Sequence, residues 1–136
     1  METSTGIEEL AQQLRTVPVF SDLSAEDLSW LAARMELLHY NPGDIIAAEG
    51  SPADRMMVLL EGETRGQREH AVGDGRTYSF RAPNVTGMLP YSRLTHIPIT
   101  MRAMTPASIA FLDASQFPEM LERLGQQLLL LLQFCL

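Results

Sequence analysis

Few side chains in this 136-residue sequence have the type and spacing that chemistry demands. The three histidines, His39, His70 and His96, lie far apart, with no close pair on one strand-like run. The two or three imidazoles and a carboxylate that a catalytic metal needs therefore do not converge. Ser51 and Ser92 have no neighbouring residues that would make either a nucleophile. The single cysteine, Cys135, sits in an apolar run, where a thiol is normally inert, and one cysteine excludes an internal disulfide framework. No glycine-rich loop leads from a strand into a helix in the P-loop pattern. What remains is the run Thr86-Gly87-Met88-Leu89-Pro90-Tyr91-Ser92-Arg93-Leu94-Thr95-His96-Ile97-Pro98. Pro90 suits the first turn of a short helix, so Leu89 to Leu94 can offer free amides to an anion, with Ser92, Arg93 and His96 beside them. The plainer reading makes Arg93 a solvated helix arginine, His96 a loop histidine and Tyr91 a ring packed on the sheet. Neither reading contains a catalytic constellation, so the expectation is a non-enzymatic module without a cofactor or a metal.

The elements that must hold this run follow from periodicity. Ile7, Leu10, Ala11 and Leu14 recur at helical spacing up to Arg15, and Pro18 stops that helix. Ser24 can cap a second helix, with Asp27 at the capping-box position and Leu28, Leu31, Ala32 and Met35 as its apolar stripe, predicting helix from Ala25 to about Glu36. After His39 the texture changes to short apolar runs: Asp44 to Ala48, Met56 to Leu60, Thr64 to Ala71, Arg76 to Ala82, Thr100 to Met104 and Ser108 to Asp113. Turn signals part them: Asn41-Pro42-Gly43-Asp44 leads into a strand, Glu61-Gly62 turns the chain back, and Gly73-Asp74-Gly75 signals a tight hairpin. A last hairpin is expected at Thr105-Pro106. This rhythm predicts antiparallel strands in a sandwich or roll. The helical period returns at Ala114, with Phe117, Met120, Leu121 and Leu124 apolar. Leu128 to Leu136 is apolar but for Gln133, which suits an end buried on the sheet, a longer helix or a dimer seam.

Composition narrows the partners. Hydrophobic residues make up 46% and charged residues 20%, enough for the core of one ordinary domain. All ten basic residues are arginines, and the net charge of −7 disfavours nucleic acid and anionic membrane surfaces. Met1 to Gly6 has no signal-peptide pattern, and the longest apolar run falls far short of the roughly 20 residues of a membrane span. A reducing, cytoplasmic location is therefore expected.

One ordered set of short motifs joins these observations. Val19-Phe20 precedes Ser21 to Asp27; then come Tyr40-Asn41-Pro42-Gly43-Asp44-Ile45-Ile46, Glu49-Gly50, Ala53-Asp54-Arg55-Met56, Leu60-Glu61-Gly62-Glu63, Gly87, and Arg102-Ala103 before Phe111-Leu112-Asp113. In this order and spacing they resemble the cyclic nucleotide-binding domain, over nearly the whole chain from Leu14 to Leu124. The resemblance implies a mainly β fold with flanking helices, a jelly-roll-like antiparallel β-roll. Its expected organisation is an N-terminal helical segment over 1–38, the β-roll over 39–113 with a phosphate-binding-cassette-like segment over 86–98, and C-terminal helices over 114–136.

In that family a glycine, a glutamate, a short helix and an arginine hold the cyclic phosphate and the ribose. The glycine matches Gly87, but Met88 stands where the glutamate belongs, and counting back from Arg102-Ala103 puts Ile97 where the arginine belongs. Methionine and isoleucine offer neither a charge nor a strong hydrogen bond. The resemblance therefore implies a regulatory domain with a degenerate cassette, passing a signal through its C-terminal helix to an output domain or a partner copy. Gly87, Met88, Leu89, Ser92, Arg93 and Thr100 are the candidate ligand-binding residues, for a small anionic ligand or nucleotide. Two alternatives stand beside it: a working cyclic nucleotide receptor using Arg93 or Arg102 for the phosphate, and a ligand-free dimerisation module with the cassette filled by Leu89, Tyr91 and Ile97. The run from Gly87 to Arg93 is also similar to cassettes in sensor domains of bacterial histidine kinases.

Overall fold

The computed structural model describes residues 2–68, 77–87 and 93–125, with side chains from residue 6 onward. His70, Gly73-Asp74-Gly75, Met88, Leu89, Pro90, Tyr91, Ser92, Cys135 and the apolar run Leu128 to Leu136 lie outside the described residues.

The chain opens with helix α1 (Glu2–Arg15), a 3-10 turn at Pro18–Phe20 and helix α2 (Ala25–Arg34). Ser24 caps α2 as its position predicts: its Oγ accepts from the Asp27 amide at 3.1 Å. Eight strands follow: β1 (Glu36–Tyr40), β2 (Ile45–Ala47), β3 (Arg55–Glu61), β4 (Glu63–Gln67), β5 (Thr77–Arg81), β6 (Asn84–Gly87), β7 (Thr100–Ala103) and β8 (Ala107–Asp113). A 3-10 turn at Ala114–Gln116, capped by an Asp113 carboxylate oxygen that accepts from the Ser115 amide at 2.9 Å, leads into α3 (Phe117–Leu124).

Two four-stranded antiparallel sheets face each other, in the orders β1-β8-β3-β6 and β2-β7-β4-β5. This is the mainly β, helix-flanked roll that the motif order implies. Four details differ from the sequence reading. The second helix ends at Arg34, because Met35 is already extended and leads into β1, which was not anticipated. That strand lies at a sheet edge against β8 alone, so its pattern is half-buried rather than cleanly alternating. The second unanticipated strand, β6, reads as a turn because Pro83, Asn84 and Gly87 crowd it; its pairing with β3 makes it a strand. Finally, Glu61-Gly62 and Thr105-Pro106 do not close hairpins, since β3 and β8 belong to one sheet and β4 and β7 to the other. Both are crossings between sheets, tied together where the Met104 amide donates to the Glu63 carbonyl at 2.8 Å and the Glu63 amide to Thr105 Oγ1 at 2.9 Å.

β3 stands between two apolar layers. Met56, Val58 and Leu60 pack with Leu14, Phe20, Leu28, Leu31 and Met120 of the helical layer, while Met57 and Leu59 pack with Met101, Ala103, Ile109 and Phe111 inside the roll. Successive side chains of a strand point to opposite faces, so a run of five apolar residues serves both layers. On the outside α3 is held to α2 by Arg123, whose Nε lies 3.1 Å from Asp27 Oδ1, and by Arg34 and Glu119 at 3.9 Å. The guanidinium groups of Arg34 and Arg123 lie 4.1 and 5.5 Å from the centre of the Trp30 ring.

Candidate functional site

The candidate site is built where β6 ends and the chain crosses to the other sheet. Gly87 has φ +82°, and a Cβ there would lie 2.7 Å from the Arg55 carbonyl oxygen and 3.1 Å from Met57 Cε. Only glycine lets the strand end this close to β3 in that conformation. Beyond the undescribed 88–92, the chain returns along the β2–β3 loop. The Ala53 amide donates to the Thr95 carbonyl at 3.0 Å, the Ile97 amide to the Ser51 carbonyl at 2.8 Å, and the Gly50 amide to the Ile97 carbonyl at 2.8 Å. This pairing fixes Ile97, whose side chain is buried.

A cavity of about 320 Å³ opens there. Sheet residues Ala47, Met57, Tyr78, Phe80, Thr86, Gly87 and Met101 line it, together with Arg68 after β4 and Leu94, Ile97, Pro98 and Ile99 of the returning segment. Tyr78, Gly66 and Met101 stand in register on neighbouring strands β5, β4 and β7. Gly66 leaves the middle of that row open, and Ile99 fills it: a Cβ on Gly66 would overlap the Ile99 side chain. A smaller cleft of about 170 Å³ lies alongside, lined by Ser51, Asp54 and Arg55 among others. Ala47, Met57 and Ile97 contribute to both.

Charge is sparse around the larger cavity. Arg68, itself exposed, is the charged residue among its described lining. In the smaller cleft the Arg55 guanidinium lies over the Phe111 ring at 4.1 Å, with its Nε 3.9 Å from Asp54 Oδ1. Burial pushes the Tyr40 hydroxyl above its ordinary pKa, with Arg55 acting in the opposite direction. Among the described residues, no three histidine, cysteine or carboxylate side chains come together as a metal site, and no helix is long and apolar enough to cross a membrane.

The sequence candidates fall at different places. Gly87 lines the cavity. Arg93 is exposed and outside the lining. Thr100 is buried, and its Oγ1 accepts from the Glu49 amide at 3.0 Å, so its hydroxyl holds the β2–β3 loop. Met88, Leu89 and Ser92 lie outside the described residues. His96 is exposed, with Nδ1 3.0 Å from Thr95 Oγ1, and His39 Nδ1 lies 2.9 Å from Ser108 Oγ, far along the chain from it. Sequence reasoning missed Met57, Tyr78, Phe80, Ile99 and Met101. The available signal was period-two alternation, which groups Tyr78 with Phe80 and Met57 with Leu59 but does not say which face is hollow.

Comparison with known proteins gives a consistent answer. The sequence model described as the cyclic nucleotide-binding domain matches residues 37–124. A cGMP-dependent protein kinase from Caenorhabditis elegans is 30% identical over 105 residues, 77% of this chain and 13% of the kinase. A cGMP-dependent protein kinase isozyme from Drosophila melanogaster is 32% identical over 57 residues, 42% of this chain and 6% of the kinase. The chain thus spans a small part of these relatives. Among solved structures, the regulatory domain of Toxoplasma gondii protein kinase A with cAMP superposes with a TM-score of 0.78 at 16% identity, covering 95% of this chain and 49% of that one. The regulatory subunit of a cAMP-independent protein kinase A from Trypanosoma cruzi, bound to guanosine, superposes with a TM-score of 0.74 at 21% identity, covering 88% and 43%. At these identities the structures establish likeness of fold.

Proposed function

The chain belongs to the cyclic nucleotide-binding domain family, and from that premise we propose that it is a regulatory sensor whose cassette has lost the family's charged ligand contacts and whose signal leaves through α3. The observation that carries this reading is Ile97. The residue that stands where the family places its phosphate arginine is a buried aliphatic side chain in the cavity wall. With Met88 in place of the glutamate, two charge-assisted contacts are missing, each worth about 1.5–3 kcal/mol. Their loss weakens a cyclic nucleotide by about two to four orders of magnitude. The Trypanosoma cruzi subunit bound to guanosine supports the idea that this fold accommodates a ligand without a cyclic phosphate.

The alternative receptor needs another arginine at the phosphate. Arg93 is exposed and outside the lining. Arg102 alternates with the buried Met101 and Ala103, which directs it to the opposite face of its sheet. Geometry therefore favours the degenerate reading. For transmission, Met57 lines the cavity while its neighbours Met56 and Val58 pack in the layer that holds Phe117 and Met120 of α3. A ligand that shifts β3 therefore acts on the packing of α3. An attached domain, a histidine kinase among them, or a second copy is the reader of that change.

Calorimetric titration with cyclic AMP and cyclic GMP tests the reading. The unaltered chain is expected to bind neither at micromolar concentration, and the Met88→Glu/Ile97→Arg double variant to gain about 100-fold or more in affinity. Micromolar binding by the unaltered chain, or no gain in a folded double variant, overturns it.

A further inference from the structure

We propose that the larger cavity takes an uncharged ligand built on an aromatic ring, resting on Tyr78, Phe80 and Met101 of one sheet and facing Met57 of the other. This rests on the sensor reading and adds the chemistry of what is sensed. The row Tyr78, Gly66, Met101 forms a shallow trough on the inner face of its sheet, with Ile99 lying over the glycine. Phe80 stands two residues along β5 from Tyr78, on the same face. Two aromatic rings and two thioethers are thus brought to one space, and thioether sulfur and ring faces both favour an aromatic guest.

The same lining argues against a charged guest. A buried anion needs a paired cation or several donors, and the side chains of the described wall are apolar apart from Thr86, Arg68 and the Tyr78 hydroxyl. Arg68 is exposed, so water already solvates its charge. The volume of about 320 Å³ is at the small end of ligand sites, enough for a compact ring system. Tyr78 adds an independent sign. It is 44% exposed, one of the few large apolar side chains left open on the described surface, and it stands at the cavity. A ring bound there covers the surface that the fold leaves uncovered.

Two fluorescent probes that share an anilinonaphthalene framework test the class: neutral N-phenyl-1-naphthylamine and the sulfonated 8-anilino-1-naphthalenesulfonate, each titrated into the 136-residue chain. Expected is a saturable rise in fluorescence with the neutral probe and binding about tenfold weaker with the sulfonate. Tyr78→Ser, at the rim, weakens the neutral probe about tenfold, and Thr86→Phe, which fills the cavity, abolishes its binding. Gln12→Trp, in the groove between α1 and α2, leaves it unchanged. No saturable signal, a preference for the sulfonate, or binding indifferent to Tyr78→Ser overturns the proposal; the last test stands even if Thr86→Phe does not fold. The two readings fail separately. Cyclic nucleotide binding by the unaltered chain removes the sensor reading, whereas silence towards both nucleotides and the neutral probe removes only the ligand class.

Discussion

The two faces of β3 are made of similar residues and do different work. Towards the helices, Met56 and Val58 are fully buried among Leu112 of β8 and Leu14, Phe20, Leu28, Leu31 and Met120, which reach in from three helices and the 3-10 turn. Towards the second sheet, Met57 and Leu59 meet Met101, Ala103, Ile109 and Phe111, and the same face borders a cavity. On that side Thr64 Oγ1 is buried without a hydrogen-bond partner among the described residues. Helices docked on a sheet can slide until their side chains interdigitate. Two sheets joined by crossing strands cannot, because each crossing fixes how far apart and in which register the sheets stand. The helical layer is therefore the filled side of β3, and the open volume lies on the side of the roll.

The sharpest break of this contrast is the loss of a large side chain from the filled layer. Phe20→Ala should cost about 3–5 kcal/mol in urea unfolding, because the ring is completely enclosed and its removal leaves a void. A cost below about 1 kcal/mol would mean the helical layer is as loose as the roll. Next comes a matched pair on one strand: Met56→Ala should cost about 4 kcal/mol and Met57→Ala about 2 kcal/mol, since the second already borders open space. Equal costs would erase the distinction between the two faces. Gly87→Ala should then cost about 1–3 kcal/mol, because it places a Cβ in the left-handed region against the Arg55 carbonyl; equilibrium unfolding measures it.

The smallest effect lies where the roll hands over to α3. The Ser115 backbone N–H, and then its hydroxyl, hold the Asp113 carboxyl below its ordinary pKa, with a lesser contribution from Arg55. A depressed carboxyl pKa means the folded chain favours the charged form, so this contribution is present above the unfolded value of about 3.9 and is lost as pH falls through the folded value. Asp113 is exposed, and solvent screening keeps the effect small. Stability measured from pH 6 down to pH 2 should fall slightly less steeply for Asp113→Asn than for the unaltered chain; identical slopes would remove Asp113 from the hand-over.

Much of this architecture was legible in the residues. Ser24 and the Leu28–Leu31 stripe announced α2, the strand runs around Ile46, Val58, Phe80, Arg102 and Ala110 were visible as short apolar segments, and Gly87 was recognisable as a fixed point. β1 and β6 were not visible, because their extended conformation comes from partners on β8 and β3 and not from a strong pattern of their own. Nor was Thr100 readable as a loop anchor, since its partner Glu49 lies 51 residues away.

The sequence alone determined what is local or compositional: where helices are capped, where glycine and proline interrupt, and which residues are too apolar to face water. Tertiary structure alone decided that Glu61-Gly62 and Thr105-Pro106 cross between sheets, and that Met57, Tyr78, Phe80 and Met101 share a cavity. The reason is physical. Caps, turns and apolar periodicity act over a few residues, whereas an empty volume belongs to no residue and exists only once distant strands have fixed the distance between their faces.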